Sequence, residues 1–158
     1  MRRSAGILLH RAGDGGGGGP QVLLGHMGGP FWARKDEHAW SIPKGEHEPD
    51  EEPRAAALRE FAEELGSAAP AGELDELGSV RGSGKVITAF ALAGDLDAAA
   101  IVSNTFEIEW PPRSGRMQEF PEIDRAAWFE LPAARTKIVR GQLPFLDRLA
   151  GLLDTAPG

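Results

Sequence analysis

Cysteine is absent from the 158 residues, which excludes a disulfide framework, a thiolate zinc site and a cysteine nucleophile. Long apolar runs are missing as well. Near the N-terminus only Ala5 to Leu9 is continuous, between Met1-Arg2-Arg3 and His10. That is too short for the apolar core of a secretory signal, and nothing approaches the roughly 18 consecutive apolar residues of a membrane span. A cytoplasmic protein with no membrane partner is the expectation. Positive charge is also scarce: 17 Lys and Arg against 24 Asp and Glu leave a formal charge of −7. Sequence-independent nucleic-acid binding needs clustered Lys and Arg, so no nucleic-acid partner is expected. A polyanionic substrate would have to be drawn in by metal ions and a few local cations.

What is present concentrates in one stretch. The length suits one domain, residues 1–158, with a core over about 4–153. Within it, residues 45–66 read GEHEPDEEPRAAALREFAEELG. Pro53 suits a first helical turn, Ala55, Ala56 and Ala57 favour helix, and Gly66 supplies a stop. The expected helix, from about Glu52 to Leu65, has an apolar stripe of Leu58, Phe61, Ala62 and Leu65. Glu60, Glu63 and Glu64 point nearly the opposite way, with Ala56 and Ala57 one turn earlier leaving room for ions or a ligand. Like charges three and four residues apart repel by a few tenths of a kcal/mol per pair unless something positive sits among them. A hard divalent cation answers that need and commonly arrives with phosphates. The plain alternative is a solvated acidic face.

The neighbouring residues decide between these readings. Gly45, Glu51, Arg59, Glu60, Glu63, Glu64 and Gly66 follow the order Gly, five residues, Glu, seven residues, Arg-Glu, an apolar residue, any residue, Glu-Glu, any residue, Gly. Seven such positions coincide by chance with a probability on the order of 10⁻⁸ per register. In this pattern, residues 45–67, the chain resembles the Nudix hydrolase family. Phe61 fills the internal apolar position; Ser67 stands where the family usually has an aliphatic residue. The resemblance implies an α/β fold, the Nudix α/β/α sandwich with a mixed β-sheet flanked by helices. It also implies that Glu60, Glu63 and Glu64 are metal ligands or act as the base, for Mg²⁺ or Mn²⁺. Independently of the family, a glycine at position 45 permits tight backbone geometry that turns a carbonyl toward a metal. Glu51, near the helix start, can pair with Arg59 two turns later and hold the loop in register.

Elsewhere, strands are expected at Ser4 to His10, Gln21 to His26, Trp40 to Ile42, Leu74 to Arg81, Lys85 to Ala93, Thr105 to Trp110 and Ala126 to Glu130, with a helix at Gln142 to Leu153. The glycine-rich segment 13–20 reads as a mobile hairpin loop, since no helix follows to make it a phosphate loop. GSGK at residues 82–85 reads as a turn for a like reason: strands flank it on both sides. Residues 111–124, PPRSGRMQEFPEID, read as an irregular loop of the kind that carries specificity. Glu122 lies six residues before Trp128. Many Nudix hydrolases have a Glu at that interval, and the resemblance gives Glu122 a place as a further ligand or base, with Glu119 its rival.

Candidate phosphate-binding cations are Lys44, Arg113 and Arg116, with Arg34, Lys35 and Lys85 as further options. Phe31 and Trp32 either stack on a base or pack internally. The four histidines show no recurrent ligand spacing, and His47 is the one nearest the acids. The resemblance implies metal-dependent hydrolysis of a nucleoside polyphosphate, a nucleoside triphosphate or dinucleoside polyphosphate, and a monomer or homodimer is expected. Carboxylates that bear cations have depressed pKa values, so a metal-bound hydroxide assisted by Glu is the expected base and the rate is expected to rise toward alkaline pH. WSIPKGE before the box resembles dinucleoside polyphosphate hydrolases, yet the chain has no tyrosine to hold a base as those enzymes often do. A noncatalytic nucleotide sensor is the alternative, and the four box carboxylates argue against it. A structural Ca²⁺ site fits less well, since a helix does not present acids as a calcium loop does.

Overall fold

A computed structural model describes residues 1–13 and 19–155. Most of the glycine-rich segment 13–20 therefore lies outside the described residues. Nine strands and three helices are described. The run Ala5 to Leu9 lies in β1 (Arg2–Arg11), and its continuity has a simple cause: helices cover both faces of this strand. Ala5, Ile7 and Leu9 face one layer and Leu8 the other. Along one edge β1 pairs in parallel with β6 (Lys85–Ala93), from Arg2 opposite Lys85 to His10 opposite Ala93. β5 (Asp75–Gly82) then pairs antiparallel with β6.

The other edge of β1 is shared. Its end meets β2 (Gln21–Met27) through His10 and Arg11, whereas its first half pairs with β4 (Lys44–His47), Gly6 standing opposite Lys44. β2 in turn gives its far end to β3 (Trp40–Ser41) and its outer edge to β9 (Ile123–Glu130). The segment Trp40 to His47 is thus a wedge that forces β1 and β2 apart. Pro43 sits at its crossover, where a missing N–H is harmless, and its carbonyl accepts a hydrogen bond from Ile7 N at 3.1 Å.

The box helix α1 (Pro53–Leu65) covers one face of the sheet, packing Ala56, Ala57, Phe61 and Leu65 on Ile7, Leu9, Leu23, Phe90 and Leu92. On the other face lie α2 (Leu131–Lys137) and α3 (Leu143–Thr155), with Ala134, Phe145, Leu146 and Leu149 against Leu8, Leu24, Ile42 and Ala91. The result is the expected α/β/α sandwich with a mixed sheet. Gln142, almost wholly buried, ties the start of α3 to the wedge: Ile42 N donates to its Oε1 at 3.1 Å, and its Nε2 donates to Ser41 Oγ at 3.0 Å.

Three elements differ from expectation. Residues 111–124 are not an irregular loop: β8 (Met117–Pro121) pairs with β7 (Thr105–Glu109) as a two-stranded ribbon apart from the main sheet, and β9 begins at Ile123. β8 buries no hydrophobic face, so its sequence has no alternation to show, and hydrogen bonding to β7 makes it a strand. Lys44 to His47 is strand rather than loop because the edge of β1 is free to pair with it. Helix α2 went unread because seven residues are too few for a periodic signal. No helix among the described residues is long and apolar enough to cross a membrane.

Candidate metal and phosphate site

The orientation of α1 differs from the amphipathic reading. Ala56, Ala57, Glu60, Phe61, Glu64 and Leu65 are the buried residues, and at 100° per residue they fall within one arc of about 180°. Leu58, assigned above to the apolar stripe, is 43% exposed, while Glu60 and Glu64 are each 7% exposed. Ala56 and Ala57 do not make space for a ligand; they let the helix lie close on the sheet. Two of the three carboxylates are therefore carried into the protein beside the wedge.

Gly45 is what accommodates them. It lies in β4 opposite Ala5, and a Cβ built there would stand 1.9 Å from Glu60 Oε2. Glycine is needed at this position for space rather than for an unusual φ. Arg59 secures the helix to the preceding loop. Its Nε and Nη2 each donate to Glu51 at 3.0 Å in a two-pronged pair, and Nη1 donates to Glu60 Oε1 at 2.8 Å and Glu63 Oε1 at 3.3 Å. The guanidinium holds the Glu51 carboxyl below its ordinary value. The same hydrogen bonds raise Arg59, keeping it charged.

Glu122 arrives from the other end of the chain. Asn104 N donates to the Glu63 carbonyl, and Glu122 N donates to the Asn104 carbonyl, each at 2.9 Å. This relay fastens both ends of the β7–β8 ribbon to α1. Burial raises Glu122, opposed by Lys44. Burial also pushes Glu64 up to about 8, assisted by the charges of Glu122 and Glu60 and opposed by Lys44. Glu60 is raised by burial too, against the pull of Arg59. Desolvation lowers Lys44, with Glu64 and Glu122 working the other way.

Glu60, Glu63, Glu64 and Glu122, together with Glu46, line a groove of about 450 Å³ with Arg2, Lys44 and Lys85 around them. Lys44 and Lys85 also border a second hollow of about 510 Å³, whose apolar lining includes Met27, Trp32, Val80 and Ile87. The structure thus brings together Lys44, Gly45, Glu60, Glu63, Glu64 and Glu122, with Trp32 in the adjoining hollow. Glu51 and Arg59 stand behind them and, with His47, line a hollow on the outer side of β4. Arg113 and Arg116 are not brought in; they are exposed between β7 and β8. Phe31, 59% exposed, meets Trp110 edge to face at 5.5 Å and does not line the hollow that holds Trp32. Sequence reading overlooked Arg2 and Asn104. Arg2 sits in what resembles the start of a targeting segment, and Asn104 acts through its backbone, which no residue type advertises.

Oxygen donors with raised carboxyls suit a hard divalent cation, which would favour their charged forms. Among the described residues, no three acids converge tightly enough to hold an ion directly. Arg59 draws Glu60 and Glu63 toward itself. The set fits such a cation in donor type and charge, with Glu60 and Glu64 buried and Glu63 and Glu122 open to the groove.

The NUDIX domain family model matches residues 1–149. The chain belongs to the Nudix family. An Ap4A hydrolase of C. elegans, solved as a binary complex, is similar at 20% identity and TM-score 0.65, over 99% of this chain and 100% of that one. The NUDIX domain of Shewanella oneidensis NrtR, complexed with ADP ribose, is 16% identical at TM-score 0.63, over 96% and 87% of the two chains. A MutT protein from Methanosarcina mazei Go1 is 19% identical at TM-score 0.59, over 98% and 96%. No curated protein matches the chain. At these identities the neighbours establish the Nudix fold, in agreement with the family match.

Proposed function

We propose that this Nudix protein, acting as a single domain, uses Mg²⁺ or Mn²⁺ to hydrolyse the phosphoric anhydride of a nucleoside polyphosphate. The observation that carries the reading is the contact between two hollows of different chemistry. One is lined by Glu60, Glu63, Glu64 and Glu122, the other by Trp32 and aliphatic side chains, and Lys44 and Lys85 stand on both. A nucleoside in the apolar hollow would send its phosphates between the two lysines and over the acids. The neighbours bound to ADP ribose or named as an Ap4A hydrolase support a nucleotide substrate.

Glu60, Glu63 and Glu64, with the Gly45 carbonyl, would hold the divalent ion, which supplies charge neutralisation on the phosphate oxygens when bound. Glu122 takes the proton from the attacking water in preference to Glu60. Glu60 Oε1 is engaged by Arg59, whereas no hydrogen bond to a protein side chain ties the Glu122 carboxylate among those described. Lys44 holds a phosphate close to the acids. Arg59 and Glu51 keep α1 in register with the loop before it and touch no substrate. Trp32 offers a stacking face, and Lys35 lies 5.2 Å from its ring centre.

Phosphate release, followed after conversion of any pyrophosphate, would be measured with Mg²⁺ over nucleoside triphosphates, dinucleoside polyphosphates and ADP ribose. Turnover of at least one class, abolished by chelation and restored by Mg²⁺ or Mn²⁺, is the expected result. Tight binding of a nucleotide with no turnover would instead make the protein a sensor.

A further inference from the structure

The parallel pairing of β1 and β6 makes Arg2 and Lys85 register partners at the starting ends of the two strands. Both are exposed, and both line the acidic groove that Lys44 enters from β4. Their places around it differ. Lys85, like Lys44, also borders the apolar hollow, whereas Arg2 also borders the outer hollow with Arg3 and His47. The positive groups therefore form a path rather than a patch: Lys44 and Lys85 border the apolar hollow, and Arg2, beside Lys85, continues the path toward the outer hollow. A pyrophosphate held between the lysines and the acids has no use for Arg2. A longer chain does, since each further phosphate adds charge beyond the reach of a single divalent ion.

We infer that Arg2, standing next along the sheet from Lys85, forms a distal phosphate subsite that selects substrates carrying three or more consecutive phosphates. The inference rests on the nucleotide-hydrolase reading of the same groove. Arg2 is at present paired with Glu46 at 2.9 Å, and both side chains are well exposed. Such a surface pair is weak, and a phosphate oxygen with its greater charge displaces the carboxylate from the guanidinium. Glu46 is then a built-in competitor that lowers affinity for the chain it faces. Removal of Arg2 and removal of Glu46 must act in opposite directions, which distinguishes a subsite from a general contribution of surface charge to folding.

The decisive experiment compares wild type with Arg2→Ala, Lys85→Ala and Glu46→Gln on two readouts. The first is calorimetric binding of inorganic tripolyphosphate and pyrophosphate in the presence of Mg²⁺. Wild type binds tripolyphosphate about tenfold more tightly, Arg2→Ala removes that preference, Lys85→Ala weakens both ligands, and Glu46→Gln widens the preference. The second is kcat and KM on a nucleoside triphosphate and on ADP ribose. Arg2→Ala raises KM about tenfold for the triphosphate, leaves kcat unchanged, and alters ADP ribose kinetics less than twofold. Equal effects of Arg2→Ala on both chain lengths, or none on either, overturn the subsite even if turnover is robust. A tripolyphosphate preference lost in Arg2→Ala without turnover of any nucleotide upholds the subsite and defeats the hydrolase reading instead.

Discussion

Glu64→Gln separates the two consequences of burying a carboxylate: a penalty to the fold and a capability at the site. The side chain is 7% exposed, and its value rises from the ordinary 4.5 to about 8. A carboxyl raised on folding contributes stability that is fully present below pH 4.5 and is lost as pH climbs through about 8. At about 1.4 kcal/mol per pH unit between 4.5 and 7, its presence disfavours folding by roughly 3 kcal/mol at pH 7. Glutamine keeps the shape and never ionises, so the variant recovers a portion of this, on the order of 1 to 3 kcal/mol. For a domain of this size that is a rise in Tm of about 3 to 10 °C. The difference from wild type should vanish near pH 4.5 and grow to a maximum near pH 8, measured by thermal unfolding with chelator present. Excess Mg²⁺ should narrow or reverse it, because ligation stabilises the wild-type folded state by mass action and the amide is a poorer ligand. Turnover with Mg²⁺ should fall by several orders of magnitude. A Tm difference independent of pH would refute the buried-charge argument, and wild-type turnover in the variant would remove Glu64 from the chemistry.

Other perturbations probe the neighbouring parts of the site. Gly45→Ala puts a methyl 1.9 Å from Glu60 Oε2, a side-chain end that can move aside; kcat should drop at least about a hundredfold with Tm lowered by only a few degrees, and a near-normal kcat would show that the position of Glu60 does not matter. Trp32→Ala should raise KM for a nucleotide about tenfold, consistent with loss of about 1 to 3 kcal/mol of stacking, while Phe31→Ala stays within twofold; the reverse order would move the base to the Phe31–Trp110 pair. At sub-saturating Mg²⁺ the rate should climb with pH, because protons on Glu64 and Glu122, both raised by burial, compete with the metal, and then decline as Lys44, lowered by burial, loses its charge. A profile flat from pH 6 to 9 would contradict that assignment.

Much of the site was legible because its chemistry is encoded at fixed spacing on one helix. Gly45, Glu51, Arg59, Glu60, Glu63 and Glu64 form a local pattern, and the geometry they need, a loop running into α1, is set within about two dozen residues. The run Ala5 to Leu9 likewise lay within an expected strand, Ser4 to His10, and short β-like runs located most others. Glu122 was reachable only through its distance from a strand tryptophan, a property of a family pattern rather than of the residues around it. The polar ribbon strand β8 and the short α2 left no periodic trace.

The direction in which α1 faces, by contrast, belongs to the tertiary structure. Alanines pack as readily as leucine, so the sequence pattern alone pointed Leu58 inward and Glu60 outward; the close approach of α1 to the sheet favoured the small residues and left Leu58 exposed. Only the forked edge of β1, with β4 on one half and β2 on the other, shows why Gly45 must lack a side chain. The cations followed the same rule. Arg113 and Arg116 share a segment with Glu122 but lie away from the groove, whereas Arg2 and Lys85, 83 positions apart in sequence, become neighbours because their strands run parallel. Sequence by itself determined which acids are present and how a helix spaces them. Strand pairing decided which distant charges meet them, since that depends on hydrogen-bond register between segments whose own residues carry no record of their partners.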